Sequence, residues 1–319
     1  MVLMKKFMLA SLLLLTACSN STPQAEPELP TIVTGAFPLA WLSNQLAAGC
    51  ATVSDLTPTG GDVHDLELTP SQTAEIIDAD LIVTATGFQT AFDDATKSTQ
   101  APVVDVIQAI KPIYGHDHSH SHDEHGDEHG DEHGDEHGDS ESKEEETPEV
   151  VDPHFWLDPN RMILAAELIQ NDISRLSEEC SQTVSDQLES IRLKLVELDL
   201  SFRAGLMQCQ SKTLVVSHEA FGYLGDAYGL NQIAVTGLDP EGEPSAARIS
   251  EIIKLAKQEN VAAVFTEKSA NPAVAEILAT ELGVGVLPLD PIELKPTSLD
   301  YLQVMTDNLA NLKTGLVCN

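Results

Sequence analysis

Along this chain the spacing of apolar positions changes period repeatedly. From Thr31 onward, short runs rich in β-branched residues, "TIVTGA" (31–36), "ATVSDL" (51–56), "DLIVTAT" (80–86) and "PVVDV" (102–106), are separated by stretches whose apolar residues recur at helical spacing. The same alternation returns in "TLVVSH" (213–218), "NQIAVTG" (231–237), "AAVFTE" (262–267) and "VGVLPLD" (284–290), before a final helix near 299–316. Strand-like and helix-like periods in alternation predict parallel sheets wrapped by helices. Between the two sets lie a helical segment over about 160–178 and a longer one over about 181–206. The pattern therefore predicts an α/β protein of two lobes, each a parallel sheet flanked by helices, joined by one long connecting helix. The expected boundaries are 31–180 for the N-terminal lobe, 181–208 for the linking helix and 209–319 for the C-terminal lobe.

With 319 residues and 42% apolar content, the chain is long enough for two domains of ordinary size, each with its own core. Its first residues, "MVLMKKFMLASLLLLTACSN", place Lys5 and Lys6 before an apolar run that ends at Leu15-Thr16-Ala17-Cys18. At under about 15 residues this run is too short to span a bilayer, so 1–17 read as an export signal. Small residues before a cysteine resemble a bacterial lipoprotein cleavage box, in which Cys18 becomes the lipid-bearing first residue. Residues 18–30 are polar and Pro-rich, as a tether between membrane and domain should be. The expected location is extracytoplasmic, lipid-anchored to the bacterial cell membrane in the periplasm or on the outer surface.

The net charge of −34 is partly local. Residues 116–149 carry fifteen carboxylates against Lys143 alone, and the remaining excess still argues against nucleic acid or anionic lipid as a partner. Within 115–149 the unit Asp-Glu-His-Gly repeats four times from Asp123 to Gly138, and His116, His118, His120, His122, His125, His129, His133 and His137 make up eight of the eleven histidines. High charge, no large apolar side chain in the repeats and a glycine in each leave nothing to bury, so a disordered loop is expected. Regular histidine is a poor choice for a mere acidic spacer, because neutral imidazole adds little charge. An auxiliary metal-binding loop is the reading that uses it.

Outside the tract the histidines are His64 in "PTGGDVHDLELTPSQ", His154 in "VVDPHFWLDPNR" and His218 in "LVVSHEAFGYLGDAYGL". Each falls at a predicted strand end or in a loop, where open α/β sheets bind ligands. Three imidazoles with a carboxylate or water suit Zn²⁺. Asp290 in "LPLDPIEL" is the candidate fourth ligand and Glu267, closing "VFTE", the second choice. Because His64 and His154 come from the first lobe and His218 and Asp290 from the second, such a site would lie between the lobes.

The segments "GGDVHDLELTPSQ", "DPHFWLDP", "SHEAFGYLGDAYGL" and "LDPIE", joined to a lipoprotein signal and an acidic His-rich loop, resemble the zinc-uptake ABC-transporter solute-binding proteins (ZnuA-type, metal cluster A-I). The resemblance runs from Thr31 to Cys318. It implies His64, His154 and His218 as zinc ligands, with Asp290 fourth or nearby, and a monomeric lipoprotein that captures Zn²⁺ and delivers it to an ABC-type zinc permease in the cytoplasmic membrane. Some relatives place a glutamate directly before the first histidine; here that position is Val63, which leaves Asp290 or water as fourth donor. Related manganese binders usually put a glutamate where this chain has His218, so the harder cation is disfavoured. No enzyme activity is expected. The rival readings are a metal store or chaperone without a permease, and a secreted zinc hydrolase with Glu219 as base. Against the hydrolase, no H-E-x-x-H pair is present.

Export also places Cys50, Cys180, Cys209 and Cys318 where disulfides persist. Three pairings are possible. A Cys180–Cys209 bridge would have to fold back along a connector of roughly 40 Å, at about 1.5 Å per residue. Lobe membership instead pairs Cys50 with Cys180 and Cys209 with Cys318.

Overall fold

The β-branched runs become short central strands. In the computed structural model, which describes residues 29–116 and 149–319 apart from 62, 241–242, 268–269 and 298–299, the first sheet takes shape as a strand–helix alternation. It runs β1 (Thr31–Thr34), α1 (Phe37–Ala47), β2 (Thr52–Asp55), α2 (Pro70–Ile77), β3 (Leu81–Thr84), α3 (Thr90–Thr96) and β4 (Val103–Asp105). The strands are parallel, in the order β2-β1-β3-β4, with Ile32 opposite Val53 on one side and Leu81 on the other. Ile32, Val33 and Leu81–Val83 are fully buried, which is why these runs are apolar on both faces. The expected signal peptide, Cys18, most of the tether and the tract histidines from His118 to His137 lie outside the described residues, as does the side chain of His116.

A two-stranded antiparallel hairpin follows, β5 (Tyr114–His116) with β6 (Glu149–Val151), so the acidic tract connects its two strands. This hairpin is an addition to the sequence reading. Gly115 in β5 packs so closely on Leu238 that a Cβ there would meet its side chain at 2.9 Å. Two long helices come next, α4 (Pro159–Leu176) and α5 (Ser181–Leu206). Helix α4 starts where Asp158 accepts the Asn160 N–H and Pro159 supplies a pre-set φ.

The second sheet repeats the alternation with β7 (Thr213–Val216), α6 (Gly222–Tyr228), β8 (Asn231–Ala234), α7 (Ala246–Gln258), β9 (Ala263–Thr266), α8 (Pro272–Leu282), β10 (Gly285–Pro288) and α9 (Tyr301–Gly315). It is parallel in the order β10-β9-β7-β8. Both sheets present the carboxyl ends of their strands to the seam between them.

The expectation of a separate core for each lobe needs correcting. Small apolar clusters line one face of each sheet, but the largest is continuous from Ile32 through α1, α4 and α5 to Leu316. Aromatic residues carry it across. The Trp41 ring lies 4.8 Å from that of Tyr301, whose hydroxyl donates to Trp156 O, and Trp156 Nε1 donates to Pro291 O at 2.7 Å. Arg161 of α4 adds a polar clasp, with Nη2 2.8 Å from Asp226 of α6 and its guanidinium over the Tyr223 ring. Disulfides Cys50–Cys180 and Cys209–Cys318 are both present, one just before α5 and one just after it. Each bridge closes a long loop, 130 and 109 residues respectively. Replacing Cys209 and Cys318 together by serine is expected to lower the unfolding free energy of the metal-free protein by about 2–4 kcal/mol, read as a reduced denaturant midpoint.

Candidate metal centre

Four loops at the carboxyl ends of the strands deliver the site. His64 stands in the loop after β2, where Gln89 Nε2 donates to Val63 O at 2.9 Å and Phe88 packs edge-on against the imidazole. His154 follows β6, and the 3-10 turn Phe155–Leu157 behind it buries all three of its side chains. His218 comes two residues after β7. Glu293 comes from the turn after β10.

These side chains converge on one atom. Glu293 Oε1 lies 3.3 Å from His64 Nε2, 2.8 Å from His154 Nε2 and 3.0 Å from His218 Nε2. One ligand atom from each of the four residues lies within 4.8 Å of all the others. His154 and His218 are fully buried. A tetrahedral Zn²⁺ with bonds of about 2.0–2.2 Å holds its ligand atoms about 3.3–3.5 Å apart. The Glu293 contacts are at or just under that spacing and the widest donor pair lies within 4.8 Å, so the four donors can close on Zn²⁺ by small side-chain shifts, the carboxylate moving outward and the imidazoles inward.

Two further carboxylates fix the imidazoles from behind. Asp152 Oδ1 lies 2.7 Å from His154 Nδ1 and also accepts the His154 N–H, while Glu267 Oε1 lies 2.7 Å from His218 Nδ1. With Nδ1–H held this way, each Nε2 keeps its lone pair for a cation and becomes more basic. Helix α6 comes close enough to enclose Asp152 because it starts with Gly222, where a Cβ would meet Asp152 Oδ2 at 2.7 Å. A cavity of about 590 Å³ adjoins the cluster, lined by Glu243, Glu267 and Glu293 among apolar residues such as Phe265 and Leu278.

Electrostatics follow from this packing. Burial alone would push both imidazoles down, but Asp152 and Glu293 outweigh it at His154, and Glu293 and Glu267 at His218. Both sit above the ordinary value, His218 well above. Burial would raise the Glu293 carboxyl, yet His218, His154 and His64 hold it well below the usual range. With both raised imidazoles protonated, the cations offset two of the three buried carboxylates. A dication displacing two protons leaves that balance unchanged.

The fourth position therefore differs from the sequence expectation. Asp290 is not in the group. Its carboxylate accepts the Ile292 N–H at 2.8 Å, and its backbone N–H and C=O bond Asn308 of α9 at 2.8 and 2.7 Å. Asp290 thus shapes the turn that carries Glu293 inward three residues later. Ile292 in that turn holds φ +61°, a left-handed conformation that costs a β-branched residue about 1–3 kcal/mol. Glu267, the second choice as ligand, stands behind His218. Glu219 lies outside the group as well, with its N–H donated to Gly237 O.

Comparison with known proteins gives a consistent picture. The family described as zinc-uptake complex component A, periplasmic (ZnuA) matches residues 32–315. The chain is similar to the zinc-binding lipoprotein AdcA of Streptococcus pneumoniae R6, at 33% identity over 97% of this chain and 61% of that protein. It is also similar to the high-affinity zinc uptake system protein ZnuA of Bacillus subtilis, at 31% identity over 97% and 95% respectively. The chain thus spans 61% of the length of the pneumococcal AdcA and 55% of its Streptococcus pyogenes counterparts. Among solved structures, Zn(II)-bound AdcA from S. pneumoniae superposes with a TM-score of 0.69 at 27% identity, over 91% of this chain and 58% of that one.

Replacing Asp152 by asparagine preserves shape but weakens its hold on His154 Nδ1–H. The expected result is a zinc affinity about 10–100-fold lower with stoichiometry unchanged, measured by competition with a chromophoric chelator.

Proposed function

Because this chain belongs to the ZnuA family of periplasmic zinc-uptake components, we infer that it captures Zn²⁺ outside the cytoplasm and passes it to an ABC-type permease in the cytoplasmic membrane. The observation that carries the reading is the convergence of three imidazole Nε2 atoms on the single oxygen Glu293 Oε1 in a buried seam. His64, His154, His218 and Glu293 are the ligands. Neutral imidazole with one carboxylate suits borderline-soft Zn²⁺ better than harder divalent cations. Four protein donors complete a tetrahedron and leave no position for a reacting water, which favours carriage of the metal over hydrolysis.

The remaining parts of the chain fit this role. The N-terminal signal and Cys18 supply export and a lipid anchor, and the AdcA relative is itself named a lipoprotein. No helix among the described residues is long and apolar enough to cross a membrane. The His-rich tract springs from hairpin β5–β6, whose last strand leads directly to Asp152 and His154. Repeated weak His and carboxylate sites tethered there raise the local metal concentration, collecting zinc when scarce or buffering it when abundant.

Zinc titration of the mature chain, with and without residues 117–148, tests the assignment. One tight equivalent should survive the deletion and several weak ones should vanish; loss of the tight equivalent would overturn the ligand set. His154→Ala and His218→Ala should each weaken the tight site by more than about 100-fold, whereas His125→Ala should leave it unchanged.

The acid–base chemistry gives a second expectation. Zinc needs deprotonated imidazoles, and the carboxylates keep His154 and His218 protonated above their ordinary value of 6.5. Apparent affinity should therefore climb as pH rises past 6.5 and level off above the raised imidazole range. Calorimetry in buffers of different ionisation enthalpy should count about two protons released per zinc just above pH 6.5, where the two raised imidazoles are still protonated, falling toward none at the alkaline end.

A further inference from the structure

Burial and a complete donor set make spontaneous release slow, so one of the four ligands must yield. The lobes themselves are poor candidates. One apolar cluster runs through both, the Trp41, Tyr301 and Trp156 contacts interlock them, and disulfides pin the chain at each end of α5. Nor are two of the histidines: Asp152 grips His154 through both its N–H and Nδ1, and Glu267 grips His218.

Glu293 is held differently. The residue before it, Ile292, is fully buried and has φ +61°. A β-branched residue stays in the left-handed region only when its surroundings over-determine it. Three groups do so here. The Asp290 carboxylate accepts the Ile292 N–H, Trp156 Nε1 donates to Pro291 O, and Asn308 clasps the Asp290 backbone from both sides. Asn308 is only 3% exposed, a polar residue facing inward from the middle of α9, and its amide donates to Asp290 O while its carbonyl oxygen accepts the Asp290 N–H. A buried amide spent wholly on the backbone of another segment acts on that segment's shape.

We propose that Asn308 is a positioning residue for zinc capture: it holds the strained Asp290–Glu293 turn in the conformation that closes Glu293 onto the three histidines, and this turn is the part of the site that opens on release. Trp156 does the same from the other lobe, at the side of the turn that faces His154. When these bonds loosen, Ile292 relaxes to negative φ, the Glu293 carboxylate leaves the metal, and three imidazoles alone retain it less tightly.

The inference rests on the zinc-site reading, and a mutant cycle separates the two. Zinc dissociation is followed by capture with an excess of chelator in the wild-type protein, Asn308→Ala, Glu293→Ala and the double variant. Asn308→Ala should speed dissociation by roughly tenfold, and in the Glu293→Ala background it should add nothing, because the turn then has no ligand to place. Trp156→Phe, which keeps the ring packing and loses only the N–H, should act in the same direction and be silenced by Glu293→Ala in the same way. In the metal-free protein, exchange of the Ile292 and Glu293 amides should rise in Asn308→Ala. An unchanged off-rate in both Asn308→Ala and Trp156→Phe, or the same acceleration with and without Glu293, overturns the proposal. A Glu293→Ala protein that binds zinc as tightly as wild type overturns the zinc-site reading itself.

Discussion

Everything in this structure depends on bringing three carboxylates and three imidazoles together away from water. Dehydrating charged groups is costly unless each is paired and fully hydrogen-bonded. The protein meets that condition by giving each fully buried imidazole one carboxylate at Nδ1 and sharing the Glu293 oxygen among all three Nε2 atoms. Protons and a zinc ion then become alternative countercharges for the same cluster. Exchanging one for the other changes which cation is present without stranding a buried charge. A site of this kind selects among metal ions by donor chemistry and couples its affinity to pH through the same groups.

Such a cluster has to be assembled from far apart in the chain, and this explains the fold around it. The four candidate donors come from loops after β2, β6, β7 and β10, and a displacement of about one ångström in any of them would spread the cluster. Two lobes with independent cores would drift relative to one another. The continuous apolar cluster through α1, α4, α5 and α9, the aromatic contacts across the seam and the paired disulfides suppress that drift. Rigidity of the frame leaves local elements as the place to open, and of the loops that carry the cluster the turn before Glu293 holds a β-branched residue, Ile292, at positive φ.

Much of this was legible in the sequence, and the parts that were not share a cause. Strand positions follow from β-branched runs buried on both faces, and α5 from an uninterrupted helical period; both emerged within about three residues of expectation. The three histidines could be recognised as a set because they are the ones that lie outside the acidic tract. The cysteine pairing followed from where each cysteine lies relative to α5. Position at a strand end, however, was the wrong guide to the fourth donor. It pointed to Asp290 and Glu267, whereas the chain reverses through a left-handed residue after Asp290 and carries Glu293 inward. A backbone turn of that kind leaves no periodic trace. Hairpin β5–β6 escaped for a related reason: its strands are three residues each and lie on either side of a long acidic insert. The orienting role of Asp152 is set by contacts from Ile113 and Tyr223, which no local pattern announces.

Asp152 also explains how a segment as long as residues 117–148 can be inserted in the chain shortly before a site that tolerates so little displacement. Its N–H donates to Ile113 O at the base of the hairpin, its C=O accepts from Tyr223 of α6, and its carboxylate holds His154. The chain entering the insert and the chain leaving it are thus tied together, and tied to the second lobe, before His154 is reached. Length added between two strands already held in register costs little, about 0.6 kcal/mol of closure entropy for each doubling. It exerts no leverage on the imidazole beyond the clamp. The geometry around His154 is thus fixed by Asp152 and Tyr223, whatever the length of chain between the two strands.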